Sequence, residues 1–228
     1  MKSKENDTLI SIGLIVIYVF LNSFCINKFS VLSYKTTIIN FIFLLCLILF
    51  VKKKGLLNYY GFVKVSKYKE FLYYIPLIII STVNLWNGFN INNTFSEILF
   101  YILTMFCVGF LEELLFRGFL FRMIEKENVN CAIIISSLTF GLGHIINLIN
   151  GASLIPTLIQ ICYAVVLGYL FVTIFHKGGS IYPCCISHAV INATAIFSID
   201  NNISSYVAPV IIFVLAIFYA IYINKRIK

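Results

Sequence analysis

The stretch Phe106–Phe121 reads FCVGFLEELLFRGFLF and carries two adjacent acids and one arginine inside an apolar run. Apolar runs recur along the whole chain, so hydrophobic residues make up 61% of it and charged residues only 11%. A soluble domain carries about 25% charged residues. The composition therefore excludes a soluble globular protein, a disordered chain and a nucleic-acid binder, and it indicates helices inside a lipid bilayer.

Eight apolar stretches have about the length of a membrane-crossing helix, which needs about 20 apolar residues. They are Leu9–Ile26, Thr36–Val51, Phe71–Trp86, Ser96–Phe121, Cys131–Leu148, Ile155–Phe175, Ile181–Ile199 and Tyr206–Ile223. Because the 228 residues then leave no room for a separate soluble domain, 1–228 is expected to be a single integral membrane domain. The sequence predicts an all-α, polytopic transmembrane helix bundle of about eight spans.

Basic residues are unevenly distributed about these stretches. Six lysines lie between the second and third stretches, and others precede the first and follow the fourth, sixth and eighth. The opposite ends of the stretches carry only Lys28 and Lys35. Because positive residues beside a span mark the cytoplasmic side, the sequence predicts a multi-pass protein of the cell membrane with both termini cytoplasmic. The net charge of +8 is then a topology signal.

The acids Glu112 and Glu113 and the basic residue Arg117 lie inside the fourth stretch. Burying an ionisable group in a bilayer is costly, so such a residue indicates function by default. Residues four apart share a helix face, so Glu113 and Arg117 can form an ion pair. Glu112 points about 100° away from its neighbour. We expect one carboxylate to be neutralised locally and the other to face a second helix.

Two histidines also lie inside predicted spans. His144 ends the sequence FGLGH in the fifth stretch, where Gly141 and Gly143 are expected to allow close helix approach. His188 lies in the seventh stretch, and Asn192 follows it on the same helix face. These residues and the charged group of the fourth stretch together predict one polar site shared by three helices.

Depth and chemistry are both compatible with such a site. A rise of about 1.5 Å per residue puts Glu112 and His188 in the cytoplasmic half of the bilayer and His144 near its middle. Hydrolysis of a peptide bond needs an activated water and donors for the developing oxyanion. A shielded glutamate can supply the base, and Asn192 and His188 can supply the donors.

Three short motifs in this region resemble those of the CPBP family. That family includes the CAAX prenyl protease type 2 enzymes and related bacteriocin-processing and immunity proteins. EELLFR (112–117) resembles its EExxxR motif, FGLGH (140–144) resembles FxxxH, and HAVIN (188–192) resembles HxxxN. The resemblance covers about residues 95–198, which we expect to form a CPBP-like catalytic core.

The resemblance implies an eight-helix intramembrane endopeptidase, and every motif position is filled here. Glu112 would be the general base that activates water, and His144 would help to position that water. Glu113 and Arg117 would hold the geometry and the charge of the site. The implied substrate is a membrane-associated or lipidated peptide.

The resemblance also implies that His188 and Asn192 would stabilise the oxyanion. It leaves the use of a metal open, because two histidines and one or two glutamates can bind zinc with a water as the fourth ligand. Glu112, His144 and His188 would then be the ligands. We favour metal-free glutamate chemistry, which requires no cofactor.

Two other functions use the same residues differently. The first is a non-proteolytic bacteriocin immunity or chaperone-like membrane protein, in which the polar groups would bind a partner. The second is a proton-coupled transporter, in which buried glutamate and histidine would form a relay. The chain shows no obvious repeat halves of the kind found in many transporters.

Overall fold

The computed structural model describes residues 2–86, 88–199 and 204–227, and within these ranges the chain is helical and contains no strand. Eight helical segments follow one another, and each falls on one of the eight apolar stretches. They are α1 (Lys2–Phe29), α2 (Tyr34–Lys53), α3 (Leu72–Leu85), α4 (Phe95–Ile124), α5 (Val129–Ile149), α6 (Leu154–Gly178), α7 (Tyr182–Phe197) and α8 (Ser204–Arg226). The prediction of an all-α bundle is therefore confirmed.

Six of these helices, counted within the described ranges, are long and apolar enough to cross a membrane. The other two, α3 and α7, have 10–17 residues and therefore rise about 15–26 Å, less than the roughly 30 Å of a hydrocarbon core. The apolar helices indicate a multi-pass membrane protein. The count of eight spans and the cytoplasmic position of both termini stay predictions.

Large apolar side chains cover much of the outer surface. Phe20 on α1, Phe41 on α2 and Phe218 on α8 are all exposed by more than half. Such a surface would be a liability in water. In a bilayer these side chains would contact acyl chains, so the exposure agrees with a helix bundle surrounded by lipid.

Local sequence signals account for where the central helices begin. Thr94 and Glu97 form a reciprocal capping box at the start of α4. The side chain of Asn128 accepts a hydrogen bond from the backbone N–H of Cys131 at the start of α5. Pro183 lies in the first turn of α7, where a missing N–H costs nothing.

Glycines let the helices that carry the motifs approach closely. α4 packs against α7, and α5 packs against α6. A Cβ on Gly109 would lie 2.8 Å from the backbone N of Ala189, and one on Gly141 would lie 2.9 Å from the backbone N of Val165. The expectation for Gly143 is wrong, because no atom lies within 4 Å of a Cβ built there. That glycine borders a cavity instead of a neighbouring helix.

The sequence does not predict one feature of α4. Residues Leu114–Phe121 are π-helical, and all eight of them are buried. A π-helical segment is rare and is often found at functional sites. The segment begins directly after the two adjacent acids and contains Arg117. The local helix geometry therefore helps to set the direction of the Arg117 side chain.

We predict that Gly109→Ala destabilises the bundle by about 1–3 kcal/mol, because the added methyl group meets the backbone of Ala189 and overpacks the contact between α4 and α7. Thermal unfolding in detergent measures the effect. Gly13→Ala is the matched control, since no atom lies within 4 Å of a Cβ at that position of α1. Equal melting temperatures for the two variants would contradict the prediction.

Candidate active site

Glu113 and Arg117 form a fully buried ion pair within α4. Arg117 Nη1 donates a hydrogen bond to Glu113 Oε1 at 2.9 Å, and both side chains are 0% exposed. Arg117 Nη2 also donates to the backbone O of Gly168 on α6 at 3.3 Å. The pair expected from the spacing is present, and it also connects α4 to α6.

Aromatic rings surround the guanidinium and the two imidazoles. The Arg117 Cζ lies 4.2 Å from the centroid of the Phe140 ring and 5.5 Å from that of Phe171. A cation over an aromatic face is attracted by the ring quadrupole. The Phe140 ring also lies 5.8 Å from the ring of His144 and 5.5 Å from that of His188. This one side chain therefore packs against three of the polar residues.

His188 is buried between the two adjacent acids. Its Nδ1 is 2.9 Å from Glu113 Oε1, and its Nε2 is 3.7 Å from Glu112 Oε2. Glu113 Oε1 therefore accepts from Arg117 and, through the Nδ1–H tautomer, from His188 as well. This arrangement holds the imidazole ring with its other nitrogen toward Glu112.

A cavity of about 350 Å³ lies on the other side of Glu112. Glu112, His144 and Asn192 line it, and the Glu112 side chain is 17% exposed whereas that of Glu113 is fully buried. His188 is not among its lining residues in the described part of the chain. Water can therefore reach only one of the two adjacent carboxylates.

All six residues singled out in the sequence lie in this region, but they form two layers. Glu113, Arg117 and His188 make a buried hydrogen-bonded cluster. The remaining residues, Glu112, His144 and Asn192, face the cavity. Their chemical roles stay predictions.

Two tyrosines beside these layers were not among the residues predicted from the sequence. Tyr18 on α1 lines the cavity, is 1% exposed, and its hydroxyl has no hydrogen-bond partner within the described ranges. The hydroxyl of Tyr101 donates to the backbone O of Asn192 at 3.2 Å. Asn22 follows Tyr18 by four positions and lies on the same helix face. This polar pair within an apolar helix was the sequence signal that could have indicated Tyr18.

The residues suggested as zinc ligands do not form a metal site in this arrangement. No group of three or more His, Cys, Asp or Glu side chains in residues 2–86, 88–199 and 204–227 is placed to hold a metal ion. His188 Nδ1 contacts Glu113 at 2.9 Å, and its Nε2 lies 3.7 Å from Glu112 Oε2. We therefore derive no chemical step through zinc.

Fold and site together define a helical membrane protein with a carboxylate facing an internal cavity. Residues 94–194 match the family model described as type II CAAX prenyl endopeptidase Rce1-like. All three motifs lie inside this segment, so the resemblance to the CPBP family is confirmed over it, and the match implies a protease of the CPBP type. No curated protein and no solved structure matches the chain.

We predict that Arg117→Met lowers the free energy of unfolding by about 3–5 kcal/mol, because it leaves the buried Glu113 charge uncompensated. Denaturation in detergent measures the loss, and the double variant Glu113→Leu with Arg117→Met should lose less than the sum of the single variants. Arg122→Met is the control, since that arginine is 20% exposed and pairs with Glu125 near the helix end. Its cost should be smaller than that of Arg117→Met, because the partly exposed Glu125 is not left as a fully buried charge. If the losses of unfolding free energy in the two single variants add up to that of the double variant, the predicted energetic coupling between Glu113 and Arg117 is wrong.

Proposed function

We propose that this protein is an intramembrane endopeptidase of the cell membrane that hydrolyses a peptide bond in a membrane-associated or lipidated peptide. One observation supports the proposal above the others. The carboxylate of Glu112 faces a cavity together with His144 and Asn192, while its neighbour Glu113 is neutralised behind it by Arg117. Glu112 is therefore a base that solvent can reach, whereas the Glu113–Arg117 ion pair is fully buried.

In the proposed reaction Glu112 takes a proton from a water held beside His144. The oxygen of that water attacks the substrate carbonyl carbon, and the carbonyl oxygen becomes an oxyanion. Glu112 then passes the proton to the departing amine nitrogen as the peptide bond breaks. General base catalysis of this kind contributes about 10²–10⁴-fold in rate.

The side-chain amide of Asn192 donates to the oxyanion. It lines the same cavity as Glu112, and its backbone O accepts from Tyr101, so its stretch of α7 is anchored to α4. Loss of one oxyanion donor costs about 10²–10³ in kcat. A role for His188 as a second donor has less support, because its Nδ1 contacts Glu113 and its Nε2 faces Glu112. We assign His188 to positioning the Glu112 carboxylate.

The buried ion pair gives the two adjacent acids different roles. Two carboxylates on consecutive residues in a low dielectric would repel each other and favour protonation. Arg117 compensates the charge of Glu113, and its guanidinium also contacts the backbone O of Gly168 and the ring of Phe140. Glu112 can then exchange a proton with water without a second unpaired carboxylate beside it.

We predict that Glu112→Gln abolishes cleavage without loss of folding, because the amide keeps the shape of the side chain and cannot act as a base. Mass spectrometry of candidate membrane peptides, incubated with wild type and variant side by side, measures the products. Glu125→Gln is the matched control, since this acid lies near the helix end and pairs with Arg122. Cleavage by Glu112→Gln at the wild-type rate would remove Glu112 from the role.

We also predict that cleavage persists in protein freed of zinc by a chelator, since the proposed steps use only side chains of this chain. Metal analysis of the treated sample accompanies the activity measurement. A chelated sample that loses activity and regains it only with added zinc would overturn the metal-free chemistry. It would leave the assignment as an endopeptidase intact.

A further inference from the structure

A second cavity lies between α3 and α7 on the outside of the bundle. Its volume is about 400 Å³, and residues of α3, of α7 and of the segment 54–71, which joins α2 to α3, line it. Two of the lining residues, Ile78 on α3 and Ile186 on α7, are 60% and 50% exposed, so the cavity is open to the surroundings of the bundle. Within the described chain it shares no lining residue with the cavity beside Glu112. We call it the outer groove.

The outer groove follows two parallel helices. The hydroxyl of Ser81 donates to the backbone O of Ser187 at 3.4 Å, and Asn84 Nδ2 donates to the backbone O of Ile191 at 2.7 Å. The contact therefore advances along α3 and α7 in the same direction. The lining extends over 74–82 of α3 and 182–190 of α7. Each range rises about 12 Å, which approaches half of a hydrocarbon core of about 30 Å, so the outer groove is an elongated slot.

The surface of the outer groove is apolar. The hydroxyl of Ser81 is used in the hydrogen bond to α7, and that of Thr82 donates to the backbone O of Ile79 at 3.0 Å. A polar ligand that finds no hydrogen-bond partner is costly to bury, whereas a hydrocarbon chain has no hydrogen bond to lose. The chemistry of this surface therefore selects a hydrocarbon chain.

Two tyrosines form the end of the outer groove that adjoins the segment 54–71. The rings of Tyr68 and Tyr74 pack edge to face with their centroids 6.3 Å apart, and Tyr74 also stacks on Phe71 at 5.1 Å. The backbone O of Phe71 accepts from the hydroxyl of Tyr219 on α8 at 2.6 Å. Tyrosine is enriched where the hydrocarbon core meets the headgroups. We therefore assign this tyrosine end of the groove to the membrane surface.

The backbone at the tyrosine end has an uncommon conformation. Lys67, Leu72, Tyr73 and Tyr74 have φ of 55°, 50°, 51° and 60°, in the left-handed region that residues other than glycine rarely adopt. Such a backbone persists only where the surrounding structure holds it, and it is concentrated at active sites and ligand clamps. None of the four residues belongs to the three motifs. The conformation therefore marks the tyrosine end as part of a separate binding site.

Three lysines flank the tyrosine end. Lys64, Lys67 and Lys69 lie beside the lining residues Val65 and Tyr68 in the chain, and all three are exposed. None of them forms an ion pair with an acidic side chain within residues 2–86, 88–199 and 204–227. Their ammonium groups are therefore available to an anion at the end of the groove.

The backbone that carries these lysines is fixed to the start of α7. Ser180 Oγ donates to the backbone O of Val63 at 2.8 Å, and the N–H of Ile181 donates to the backbone O of Gly61 at 2.9 Å. Residues 63–71 contain the three lysines and one acid, Glu70, so their net charge is +2. An apolar slot thus ends at a positively charged segment that is held in place.

We propose that the outer groove binds one anionic phospholipid, with an acyl chain between α3 and α7 and the phosphate beside Lys64, Lys67 and Lys69. A phospholipid presents a hydrocarbon chain and a phosphate in this order, and lysine clusters next to a membrane attract anionic lipids. The proposal does not depend on the endopeptidase function, because none of its residues lines the cavity beside Glu112.

A second copy of this chain fits the outer groove less well than a lipid does. Two copies in one membrane have the same orientation, so a two-fold contact at the groove would place the same patch of each copy face to face. The three lysines of one copy would then meet those of the other, and like charges repel. A lipid phosphate would instead compensate them.

Photo-crosslinking tests which lipid occupies the outer groove. The purified protein is reconstituted in phosphatidylcholine vesicles that contain a trace of phosphatidylglycerol or of phosphatidylcholine, each with a diazirine in the acyl chain. Mass spectrometry of proteolytic fragments locates the adducts. We expect adducts on the facing sides of α3 and α7, with a several-fold excess for phosphatidylglycerol. Equal yields for the two lipids, or no adduct on either helix, would indicate the ordinary lipid shell alone and overturn the proposal.

Charge variants test the lysines in the same assay. The triple variant Lys64→Gln, Lys67→Gln and Lys69→Gln should lose about fivefold of its affinity for phosphatidylglycerol for each lysine removed. The matched control replaces three exposed lysines at the end of α2 by glutamine, and these are Lys52, Lys53 and Lys54. It removes the same charge next to the same segment and should keep the lipid preference. Equal losses in the two triple variants would show attraction to the overall charge and overturn the headgroup site.

Ile78→Trp tests the groove itself, because the larger side chain projects from an exposed position into the slot. We expect the adducts on α3 and α7 to disappear. Ile134→Trp on α5 is the matched control, since Ile134 is 57% exposed and does not line the groove. Melting temperatures in detergent verify that both variants fold. Phosphatidylglycerol adducts that persist on α3 and α7 of Ile78→Trp, or a lipid-free dimer in native mass spectrometry that Ile78→Trp dissociates, would overturn the lipid site.

Discussion

A buried ion pair between Glu113 and Arg117 is the constraint on which the rest of the site depends. A buried charge that loses its partner is strongly destabilising. Arg117 pairs with the Glu113 carboxylate, donates to the backbone O of Gly168 and packs against the ring of Phe140, whereas its Nε and Glu113 Oε2 have no hydrogen-bond partner in the described part of the chain. Glu113 in turn holds His188. One pair of charges thereby fixes the relative positions of α4, α5, α6 and α7.

Close helix packing makes this pair achievable. Hydrogen bonds between side chains and backbones on different helices need axes that lie near one another, and Gly109 and Gly141 permit this at the contacts of α4 with α7 and of α5 with α6. The π-helical segment after Glu113 then directs Arg117 into the space between the helices. The polar cluster and the apolar packing are therefore one structural unit, in which a change in either affects the other.

Adjacent acids with unlike surroundings connect this packing to chemistry. Glu113 is paired with Arg117 and stabilises the bundle, whereas Glu112, one position earlier, lines a cavity that water can occupy. The match of residues 94–194 to the Rce1-like endopeptidase family agrees with a hydrolytic use of that carboxylate.

The sequence by itself predicted the helical class, the eight apolar segments, the ion pair and the six polar residues. These features could be predicted because composition and i,i+4 spacing are local properties. Tertiary structure decided the rest. The division of those six residues into a buried cluster and a cavity lining depends on how α4 is rotated against α7. The place of Tyr18 beside Glu112 and the hydrogen bond from the Tyr59 hydroxyl to the backbone O of Arg122 are contacts between residues far apart in the chain, and no local pattern encodes such contacts.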